Sequence, residues 1–590
     1  MSHDATPSNT IPSPAPRARA DHHWLQRYPS DVNWFQTFDP EPLTALLDRA
    51  IARFPHTTCT SFLGSKLSYG EIGSRVIRAA AHLQSLGVVK GTRVGLLLPN
   101  TPTFIIYYFA ALKCGAIVVN YNPLYTVEEL AEQVRDSGTD LMITLDLKIL
   151  FDKVEALLQQ GVLPRALVAS FAALLPSAKA LLFKLLKSAE LAAPNRSPLR
   201  ARITLESETA MASTPFSPVA IDPERDVAVL QYTGGTTGLP KGAMLTHANL
   251  SINTQQVVSW ATDLAEGEDR VLAVLPFFHV FAMTVVMNFG IARCAEIVLM
   301  PRFVLNDALA LIHQSRPTVM PGVPTLFNAI LNHPRLEAFD LSSLKFCVSG
   351  GAALPVEVKR GFEAATGCRV LEGYGLTETS PVALCNPLNA EQKDGSIGLP
   401  LPQTRVSLRS LDDPSVEVAI GEKGEICLAG PQVMIGYWNR PDETRDAFVD
   451  GLLRTGDVAI QDADGYTFIV DRIKDLIICS GFNVYPRRIE DALYAHDAVA
   501  EVTVVGIPDA YRGEVPKAFV KLKPGRTGVT AKDLYEHLAP KLSKIEMPAE
   551  IEFRDELPKT LIGKLSKKEL RAEVEARPTE QAESTGPERT

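Results

Sequence analysis

Cysteine is scarce in this sequence of 590 residues, and it is never grouped. The chain has no CxxC pair and no Cys/His cluster, and its eight cysteines stand alone at Cys59, Cys114, Cys294, Cys347, Cys368, Cys385, Cys427 and Cys479. Isolated cysteines in a long chain are typical of small apolar residues in a reducing compartment. We therefore expect neither a zinc site nor a disulfide framework.

Two kinds of apolar segment are also missing. No stretch reaches the ~20 uninterrupted apolar residues that a membrane-spanning helix requires. The first residues, "MSHDATPSNTIPSPAPRARADHH", are polar and rich in proline, and they lack the apolar core of a signal peptide. We expect this segment to be a disordered tail, and the protein to be soluble and cytoplasmic.

Basic charge is not in excess. The 59 Lys and Arg residues are outnumbered by 68 Asp and Glu residues, which gives a formal net charge of -9. The sequence has no basic stripe and no aromatic RNA-binding signature, so we expect no nucleic-acid partner. With 46% hydrophobic and 22% charged residues the composition is globular, and the chain is too long for one hydrophobic core.

The sequence does contain a regular alternation of helical and strand patterns. Helical spacing marks "PLTALLDRAIARF" (Pro42 to Phe54) and "TFIIYYFAALKCG" (Thr103 to Gly115), and a strand pattern lies between them in "TRVGLLLPN" (Thr92 to Asn100). Apolar strands separated by helices of roughly 10–15 residues indicate parallel sheets covered on both faces. After about Arg409, short strands and turns predominate. We predict an α/β fold of parallel-rich sheets covered by helices, with a small β-rich subdomain and a small α+β C-terminal domain.

These patterns predict the division of the chain. We expect disordered tails at 1–23 and 574–590, a large N-terminal domain at 24–470 with its β-rich subdomain at about 409–470, a hinge at 471–475 and a small mobile domain at 476–573.

The segment "FAALLPSAKALLFKLLKSAEL" (Phe171 to Leu191) interrupts the alternation. Helical projection places on one side Leu174, Leu181, Leu182, Leu185 and Leu186, and on the other Lys179, Lys184, Lys187 and Glu190. Pro176 must then lie in the first turn. We expect this amphipathic helix to pack on the domain core. The alternative is a surface helix that contacts a membrane, with its lysines facing lipid headgroups.

A glycine-rich stretch, "TGGTTGLPKG", follows the strand pattern "VAVLQY" (Val227 to Tyr232). Glycine lets backbone N–H groups approach an anion, threonine hydroxyls add neutral donors and Lys241 adds a positive charge. The stretch therefore predicts a phosphate site, with a merely flexible loop as the alternative. It is not the P-loop GxxxxGK[ST], because Pro240 precedes the lysine and Gly242 follows it.

"YTGGTTGLPKGA" resembles the signature loop of the adenylate-forming superfamily, which comprises acyl-CoA synthetases, luciferases and peptide-synthetase adenylation domains. Further motifs of that family follow in order: "LPFFHVFAMT", "VSGGAALP", "LEGYGLTETSP", "GSIGLPLP", "GYWNRPDET", "GLLRTGD", "DRIKDLIICSGFNVYPRRIE" and "PKTLIGKLSKKEL". The resemblance extends from about Trp24 to Glu573. "YNPLYTVEEL", "EGYGLTE" and "SGFNVYPRRIE" are most similar to bacterial long-chain fatty acid–CoA ligases.

The resemblance implies a reaction in two steps with ATP, Mg²⁺ and CoA. A carboxylate attacks the α-phosphate of ATP to give acyl-AMP and pyrophosphate, and the CoA thiol then attacks the mixed anhydride to give a thioester and AMP. Because the first step brings two anions together, the site must neutralise charge and align the reactants.

The family's motifs also imply the nucleotide site. The expected ATP and AMP ligands are Thr233, Gly234, Gly235, Thr236, Thr237, Gly238, Lys241, Gly351, Ala352, Ala353, Glu372, Gly373, Tyr374, Gly375, Thr377, Asp457, Arg472 and Lys564. Tyr374 would offer a flat face to adenine, Thr377 a hydroxyl to the α-phosphate, and Asp457 a carboxylate to the ribose diol. Glu378 and Thr236 would hold Mg²⁺. Without the motif, Glu378 would equally suit an exposed ion pair.

The expected catalytic residues are Lys564, Thr377, Glu378, His279 and Lys474. By resemblance, Lys564 bridges the carboxylate and the α-phosphate, whereas on sequence alone it belongs to a solvated lysine group. His279 would lie over the reacting carboxyl group and the CoA channel, although a lone histidine in an apolar run is more often a core residue. Lys474 occupies the hinge position between the domains.

Two further sites belong to the second step and to the acyl chain. Ser480 and Gly481 would approach the pantetheine of CoA after the small domain rotates. Some relatives have a lysine two positions before this pair, where the chain has Ile478, so the resemblance does not support a mechanism that needs that lysine. We expect the acyl pocket to be lined by Met283, Val286, Met287, Val323 and Val382.

The sequence thus predicts an Mg-ATP-dependent ligase that converts a medium- or long-chain fatty acid to its CoA thioester. The alternatives are a CoA ligase for a dicarboxylic or aryl acid, an acyl-AMP ligase that supplies a carrier protein, and a catalytically silent lipid-binding or membrane scaffold. The resemblance is compatible with a homodimer and with peripheral contact at the inner face of the membrane, but no segment identifies an interface.

Overall fold

The computed structural model describes residues 22–211, 215–233, 240–509, 511–526, 528–560 and 563–575. The strands up to Arg472 are β1 (Thr58–Phe62), β2 (Ser65–Ser68), β3 (Arg93–Leu96), β4 (Ile117–Asn120), β5 (Leu141–Leu145), β6 (Arg165–Ala169), β7 (Ile203–Leu205), β8 (Val227–Tyr232), β9 (Gly242–Thr246), β10 (Arg270–Ala273), β11 (Glu296–Leu299), β12 (Val319–Gly322), β13 (Phe346–Gly350), β14 (Arg369–Gly375), β15 (Val382–Cys385), β16 (Leu399–Pro400), β17 (Arg405–Arg409), β18 (Lys423–Ala429), β19 (Phe448–Val449), β20 (Leu452–Gln461) and β21 (Thr467–Arg472). After Arg472 they are β22 (Ile477–Cys479), β23 (Phe482–Val484), β24 (Val499–Asp509), β25 (Gly513–Leu522) and β26 (Glu550–Phe553).

Helices cover these strands. They are α1 (Ala45–Arg53), α2 (Tyr69–Ser85), α3 (Pro102–Lys113), α4 (Val127–Ser137), α5 (Lys148–Gln159), α6 (Ser177–Leu186), α7 (His247–Trp260), α8 (Val280–Ala282), α9 (Phe289–Ala292), α10 (Leu305–Ser315), α11 (Pro324–Leu331), α12 (Val356–Thr366), α13 (Pro441–Asp446), α14 (Pro486–Tyr494), α15 (Ala531–Leu538) and α16 (Lys567–Glu575). A π-helical segment, Met283–Asn288, joins α8 to α9.

Two large sheets form the body of the molecule. One has the strand order β7-β6-β5-β3-β4-β8-β9 and is parallel except at β9. The other has the order β16-β15-β14-β13-β12-β10-β11-β1-β2, with parallel pairing from β14 to β1 and antiparallel strands at both edges. Because loops at the carboxyl ends of parallel strands share one edge, this arrangement gathers distant motifs. The predicted α/β fold is confirmed.

Local sequence chemistry sets the bounds of many helices. At the start of α4, the Thr126 side chain accepts a hydrogen bond from the Glu129 N–H, and the Glu129 carboxylate accepts one from the Thr126 N–H. The helix ends at Gly138, whose φ of 62° suits a residue without a side chain. By contrast α3 is buried on every side from Pro102 to Leu112, because it lies in the main hydrophobic core.

Two smaller sheets complete the chain. The first has the order β17-β18-β20-β19, with β21 paired to β20, and it follows the second large sheet. The other has the order β23-β22-β25-β24, with β26 beside β25, and α14 and α15 pack on it around a core of its own. A 3₁₀ turn, Ile473–Asp475, connects these two sheets.

The segment from Phe171 to Leu191 is not the single core-packed helix that we expected. A 3₁₀ turn, Phe171–Leu174, precedes α6, and Pro176 is the N-cap of α6. Only Leu174 of the five leucines is buried, whereas Leu181, Leu182, Leu185 and Leu186 are 62%, 55%, 68% and 72% exposed. The expectation fails because Phe183 packs on the core in their place, with its ring 5.1 Å from that of Phe171. Among the described residues, no helix is both long and apolar enough to cross a bilayer.

Candidate functional site

A cleft of about 2130 Å³ lies where the two large sheets and the C-terminal sheet meet. Its wall includes residues at the carboxyl ends of parallel strands: Asn120 as the last residue of β4, Thr233 after β8, Gly351 after β13 and Leu376 after β14. The parallel topology therefore explains why motifs far apart in sequence line one cavity.

The two ends of the glycine-rich stretch are held together by strand pairing. Tyr232 faces Gly242 across the β8–β9 hairpin, and the Thr233 N–H donates to the Lys241 carbonyl at 2.9 Å. Thr233 lines the cleft. The remaining predicted phosphate ligands lie outside the described residues; they are Gly234, Gly235, Thr236, Thr237 and Gly238.

Tyr437 links Lys241 to Glu378. Its hydroxyl donates to Oε1 of Glu378 at 2.7 Å, and the Lys241 Nζ lies 5.1 Å from the centre of its ring. Burial and the Glu378 carboxylate raise the pKa of Tyr437, so the hydroxyl stays protonated and remains a donor. Thr377 and Glu378 both line the cleft. The sequence interpretation missed Tyr437, although it lies in the quoted motif "GYWNRPDET".

A second hydrogen-bonded group surrounds Asp457. This buried carboxylate accepts from the Tyr374 hydroxyl at 2.6 Å and from Nε of Arg472 at 3.1 Å. Asp457 and Arg472 face each other across the β20–β21 pair. Burial, together with the Asp457 charge, raises the pKa of Tyr374, so its hydroxyl remains a donor while its ring lines the cleft.

The loop after β13 and the end of β14 form the next part of the wall. Gly351, Ala352, Ala353 and the β14 residues Glu372, Gly373, Tyr374 and Gly375 all line the cleft. Glu372 is buried, its Oε1 accepts from the Leu354 N–H at 3.2 Å, and burial raises its pKa to about 7. At Gly375 a Cβ atom would lie 1.8 Å from the Pro381 carbonyl oxygen, so only glycine fits.

Lys564, which comes from the C-terminal part of the chain, reaches this wall. A Cβ atom on Gly351 would lie 2.6 Å from the Lys564 Cε and 2.9 Å from its Nζ, so the lysine side chain fills the space that the glycine leaves. Burial and the positive Arg472 lower the pKa of Lys564 to about 8, and Asp457 partly opposes them. The structure thus places this lysine on the wall of the same cleft as the Asp457 group.

His279 lies on the cleft wall at the N-terminus of α8. Its Nδ1 accepts from the Phe281 N–H at 3.3 Å. Burial and the positive charge of Lys564 lower the pKa of His279 to about 3, so the ring is neutral and carries its proton on Nε2.

The predicted CoA ligands are not in the cleft. Ser480 and Gly481 form the exposed turn between β22 and β23, and neither lines the cavity, whereas Lys474 in the connecting turn does. Ile478, on the same hairpin, is exposed as well.

The apolar side chains on the cleft wall differ from the set that we expect for an acyl pocket. Val382 lines the cleft, but Met283, Val286, Met287 and Val323 are buried in the core and are not on its wall. The apolar part of the wall includes instead Val257, Trp260, Ala261, Phe281, Val285, Phe289, Val319, Phe346, Val348, Leu371, Val382 and Cys385. The π-helical turn at Met283–Asn288 changes which side chains face the cavity, and the sequence pattern does not reveal such a turn.

Asp136 is another cleft residue that the sequence interpretation missed. Its Oδ2 accepts from the Tyr232 hydroxyl at 2.6 Å, and its Oδ1 accepts from Arg440 at 2.6 Å. It therefore fixes the strand end that precedes Thr233. No local motif marks Asp136, because its partners come from distant segments.

Comparison with known proteins agrees with this geometry. Residues 47–438 match the family model of AMP-binding enzymes, and residues 488–564 match that of the AMP-binding enzyme C-terminal domain. The chain is 43% identical to a long-chain-fatty-acid–CoA ligase of Bacillus subtilis (strain 168), covering 92% of this chain and 96% of that protein. It is 36% identical to a feruloyl-CoA synthase of Amycolatopsis sp, covering 86% and 94%.

Among solved structures, the chain resembles ATP-bound MatB from Rhodopseudomonas palustris, with a TM-score of 0.77 and 29% identity over 90% of this chain and 98% of that one. It also resembles the anthranilate CoA ligase AuaEII in complex with anthranoyl-AMP, with a TM-score of 0.78 and 26% identity over 92% and 98%. The shared fold, the family-model matches and the identity to curated relatives lead to one conclusion: the chain belongs to the AMP-binding enzyme family.

Proposed function

We propose that this enzyme is an ATP-dependent long-chain fatty acid–CoA ligase that works through an acyl-adenylate. One observation carries the proposal: Lys564 and the Asp457 group line the same cleft as a large set of apolar side chains. A cation beside a nucleotide site suits the joining of a carboxylate to a phosphate, and an apolar wall suits a hydrocarbon chain.

In the first half-reaction a carboxylate oxygen bonds to the α-phosphorus while the bond to the pyrophosphate oxygen breaks. Lys564 offsets the repulsion between the two anions, and Thr377 donates to the α-phosphate. Asp457, held by Tyr374 and Arg472, accepts from the ribose hydroxyls. Lys241, with Thr233 to Gly238, holds the outgoing phosphates.

Mg²⁺ fits the chemistry of Glu378, a carboxylate on the cleft wall with one oxygen oriented by Tyr437. Within the described ranges, no group of three or more His, Cys, Asp or Glu side chains is placed to hold a metal ion. Glu378 would therefore share the ion with phosphate oxygens and with Thr236. When bound, the ion neutralises phosphate charge.

In the second half-reaction the CoA sulfur bonds to the acyl carbonyl carbon, the bond to the AMP oxygen breaks, and the thiol proton leaves. Ser480 and Gly481 must reach the cleft for this step, so the C-terminal domain turns about the hinge that contains Lys474. The neutral His279 orients the acyl carbonyl group through its Nε2–H and forms part of the CoA channel.

The test is pyrophosphate release and CoA-thioester formation with a series of acids, in wild type and in Lys564→Ala. Long saturated acids should turn over in the wild type. Lys564→Ala should lose adenylation yet convert supplied palmitoyl-AMP and CoA to the thioester. Turnover restricted to aryl or dicarboxylic acids would contradict the substrate, and adenylation without any thioester would favour an acyl-AMP ligase. Fatty acid binding without ATP consumption would favour the silent scaffold.

The leucine face of α6, defined as Leu181, Leu182, Leu185 and Leu186, favours a second role as a peripheral membrane contact. All four side chains are more than half exposed, and Lys179 and Lys184 on the same helix are exposed too. Apolar side chains beside lysines suit the surface of an anionic bilayer, from which a long-chain acid could be drawn. We infer that this face binds such a surface at the inner side of the membrane.

Sedimentation with vesicles tests this inference. Wild type should bind vesicles that contain phosphatidylglycerol more tightly than pure phosphatidylcholine vesicles, and serine at all four positions should abolish the difference. Serine at the exposed Val89 and Ile420 is the matched control and should change nothing. Equal binding by the four-serine variant would contradict the membrane contact. A homodimer that dissociates in that variant, seen by light scattering, would assign the face to a second copy instead.

A further inference from the structure

Helix α11 of the large domain contacts the C-terminal domain at two successive turns. The Thr325 hydroxyl donates to the Gly563 carbonyl, which directly precedes Lys564. One turn later, Nδ2 of Asn328 donates to the Ala500 carbonyl at 3.0 Å. Residues three apart in a helix lie on one face, so these two side chains form a single contact surface. We call Thr325 and Asn328 the α11 latch.

The turn that carries Lys564 is well braced within its own domain. The Gly563 N–H donates to the Thr560 carbonyl at 2.8 Å, and the Lys564 N–H donates to the Thr560 hydroxyl at 3.1 Å. Lys559, at the base of the turn, pairs with Glu501 at 2.7 Å. Because Glu501 adjoins Ala500, both acceptors of the latch belong to one braced unit. A contact made at either acceptor therefore positions Lys564.

Asn328 is oriented for this contact. Its Oδ1 accepts from Nδ2 of Asn332 at 2.7 Å, and its backbone carbonyl accepts from the same amide at 2.8 Å. With Oδ1 occupied on its own helix, the amide nitrogen faces Ala500. Thr325 is oriented by its place in the first turn of α11, and it also lines the cleft.

The latch belongs to only one of the two domain positions that the reaction needs. Lys564 is at the cleft in the position seen, while Ser480 and Gly481 are outside it. Any rotation that exchanges them must break both latch bonds, because the acceptors move with Lys564. We propose that the α11 latch stabilises the adenylation position of the C-terminal domain. The strength of the two hydrogen bonds then sets the relative populations of the adenylation position and the thioester-forming position. This inference rests on the proposed function.

Thr325→Val tests the latch, because valine keeps the shape of threonine but has no donor. The rate of pyrophosphate release with palmitate and ATP in the absence of CoA should fall roughly 3- to 10-fold, the effect of one lost hydrogen bond. Conversion of supplied palmitoyl-AMP and CoA to palmitoyl-CoA should stay the same or become faster. Asn328→Ala should behave alike, and the two changes together should lower adenylation further.

Thr325→Ser is the matched control, since serine keeps the hydroxyl, and it should stay near the wild-type rates. Hydrogen exchange supplies a readout independent of turnover: amides of residues 563–566 should exchange faster in Thr325→Val than in Thr325→Ser. Equal losses in both half-reactions, or unchanged adenylation, would overturn the latch. If the wild type fails to adenylate any fatty acid, that result contradicts the proposed function and not the latch. The hydrogen-exchange measurement then tests by itself whether the α11 latch holds the C-terminal domain.

Discussion

At the scale of single residues, the surroundings of Lys564 lower the pKa of its ammonium group. Burial and Arg472 bring its pKa down to about 8. The ammonium group loses its proton as pH rises, so kcat/KM for ATP in pyrophosphate release should be level below pH 8 and fall up to tenfold per pH unit above it. A stopped assay from pH 6 to 10 measures this profile.

The second half-reaction provides the control for that profile. It uses the CoA thiolate, so thioester formation from supplied palmitoyl-AMP should rise with pH over the same range. An adenylation rate that stays level up to pH 10 would contradict the role of the Lys564 charge.

Tyr437 is expected to position Glu378 rather than to contact substrate. Tyr437→Phe removes the hydroxyl that donates to Glu378 but keeps the ring beside Lys241. Because hydrogen bonds to charged groups contribute about 1.5–3 kcal/mol, we expect the Mg²⁺ concentration for half-maximal pyrophosphate release to rise roughly 10- to 100-fold. KM for palmitate should stay constant, and calorimetry should show weaker binding of Mg-ATP.

Tyr437→Leu extends the same experiment by removing the ring contact to Lys241 as well. It should weaken ATP binding further, even at saturating Mg²⁺. A Tyr437→Phe variant with the wild-type Mg²⁺ dependence would show that the hydroxyl does not position Glu378.

At the scale of elements, α7 and the helix that runs from Val280 through the π turn to Ala292 shape the apolar wall. Val257→Trp on α7 should fill part of the cavity and move the preference from palmitate towards shorter acids. Each methylene group of the acyl chain that is no longer buried costs about 0.8 kcal/mol. If four methylene groups are no longer buried, kcat/KM for palmitate should fall by roughly two orders of magnitude. Competition between palmitate and octanoate measures the change.

Val257→Ala is the control for Val257→Trp, because alanine enlarges the cavity instead of filling it. This variant should keep or extend the preference for long-chain acids. Identical chain-length profiles for the alanine and tryptophan variants would place the acyl chain elsewhere in the cleft.

Individual strands and helices also show how much of the fold local sequence patterns can predict. The strand pattern "VAVLQY" corresponds to β8 (Val227–Tyr232) with the same bounds, because a short apolar run with turn residues on both sides leaves little freedom. For the segment from Phe171 to Leu191, the prediction of a leucine face packed on the core is wrong, whereas its helical periodicity matches α6. Periodicity identifies the apolar face of a helix, but whether that face is covered depends on neighbours that are distant in sequence.

At the scale of the whole molecule, the turn Ile473–Asp475 connects the two smaller sheets, and we expect the chain to pivot there. Lys474→Pro fixes φ near the value that a 3₁₀ turn already has, so it should hold the adenylation position. Pyrophosphate release without CoA should persist, whereas thioester formation from supplied palmitoyl-AMP should drop at least tenfold. Single-turnover measurement of each half-reaction tests this.

Lys474→Ala distinguishes the effect of a restricted backbone from the effect of a lost charge, because it removes the ammonium group without restricting the backbone. It should keep thioester formation well above the proline variant. Equal losses in the two variants would mean that the lysine side chain matters, and not the freedom of the hinge.

The sequence by itself determined the family, the order of its motifs and the chemical type of most site residues. Those properties are local: a glycine-rich turn after a strand, or a carboxylate in "RTGD", has the same chemistry wherever it lies. Only the tertiary structure decided that Lys564 stands against Gly351 while Ser480 and Gly481 stand outside. It also decided that Tyr437 joins Lys241 to Glu378, and that Val257 and Val285 line the apolar wall in place of Met283 and Met287. Contacts between segments far apart depend on how sheets and domains pack, and no local pattern encodes that packing.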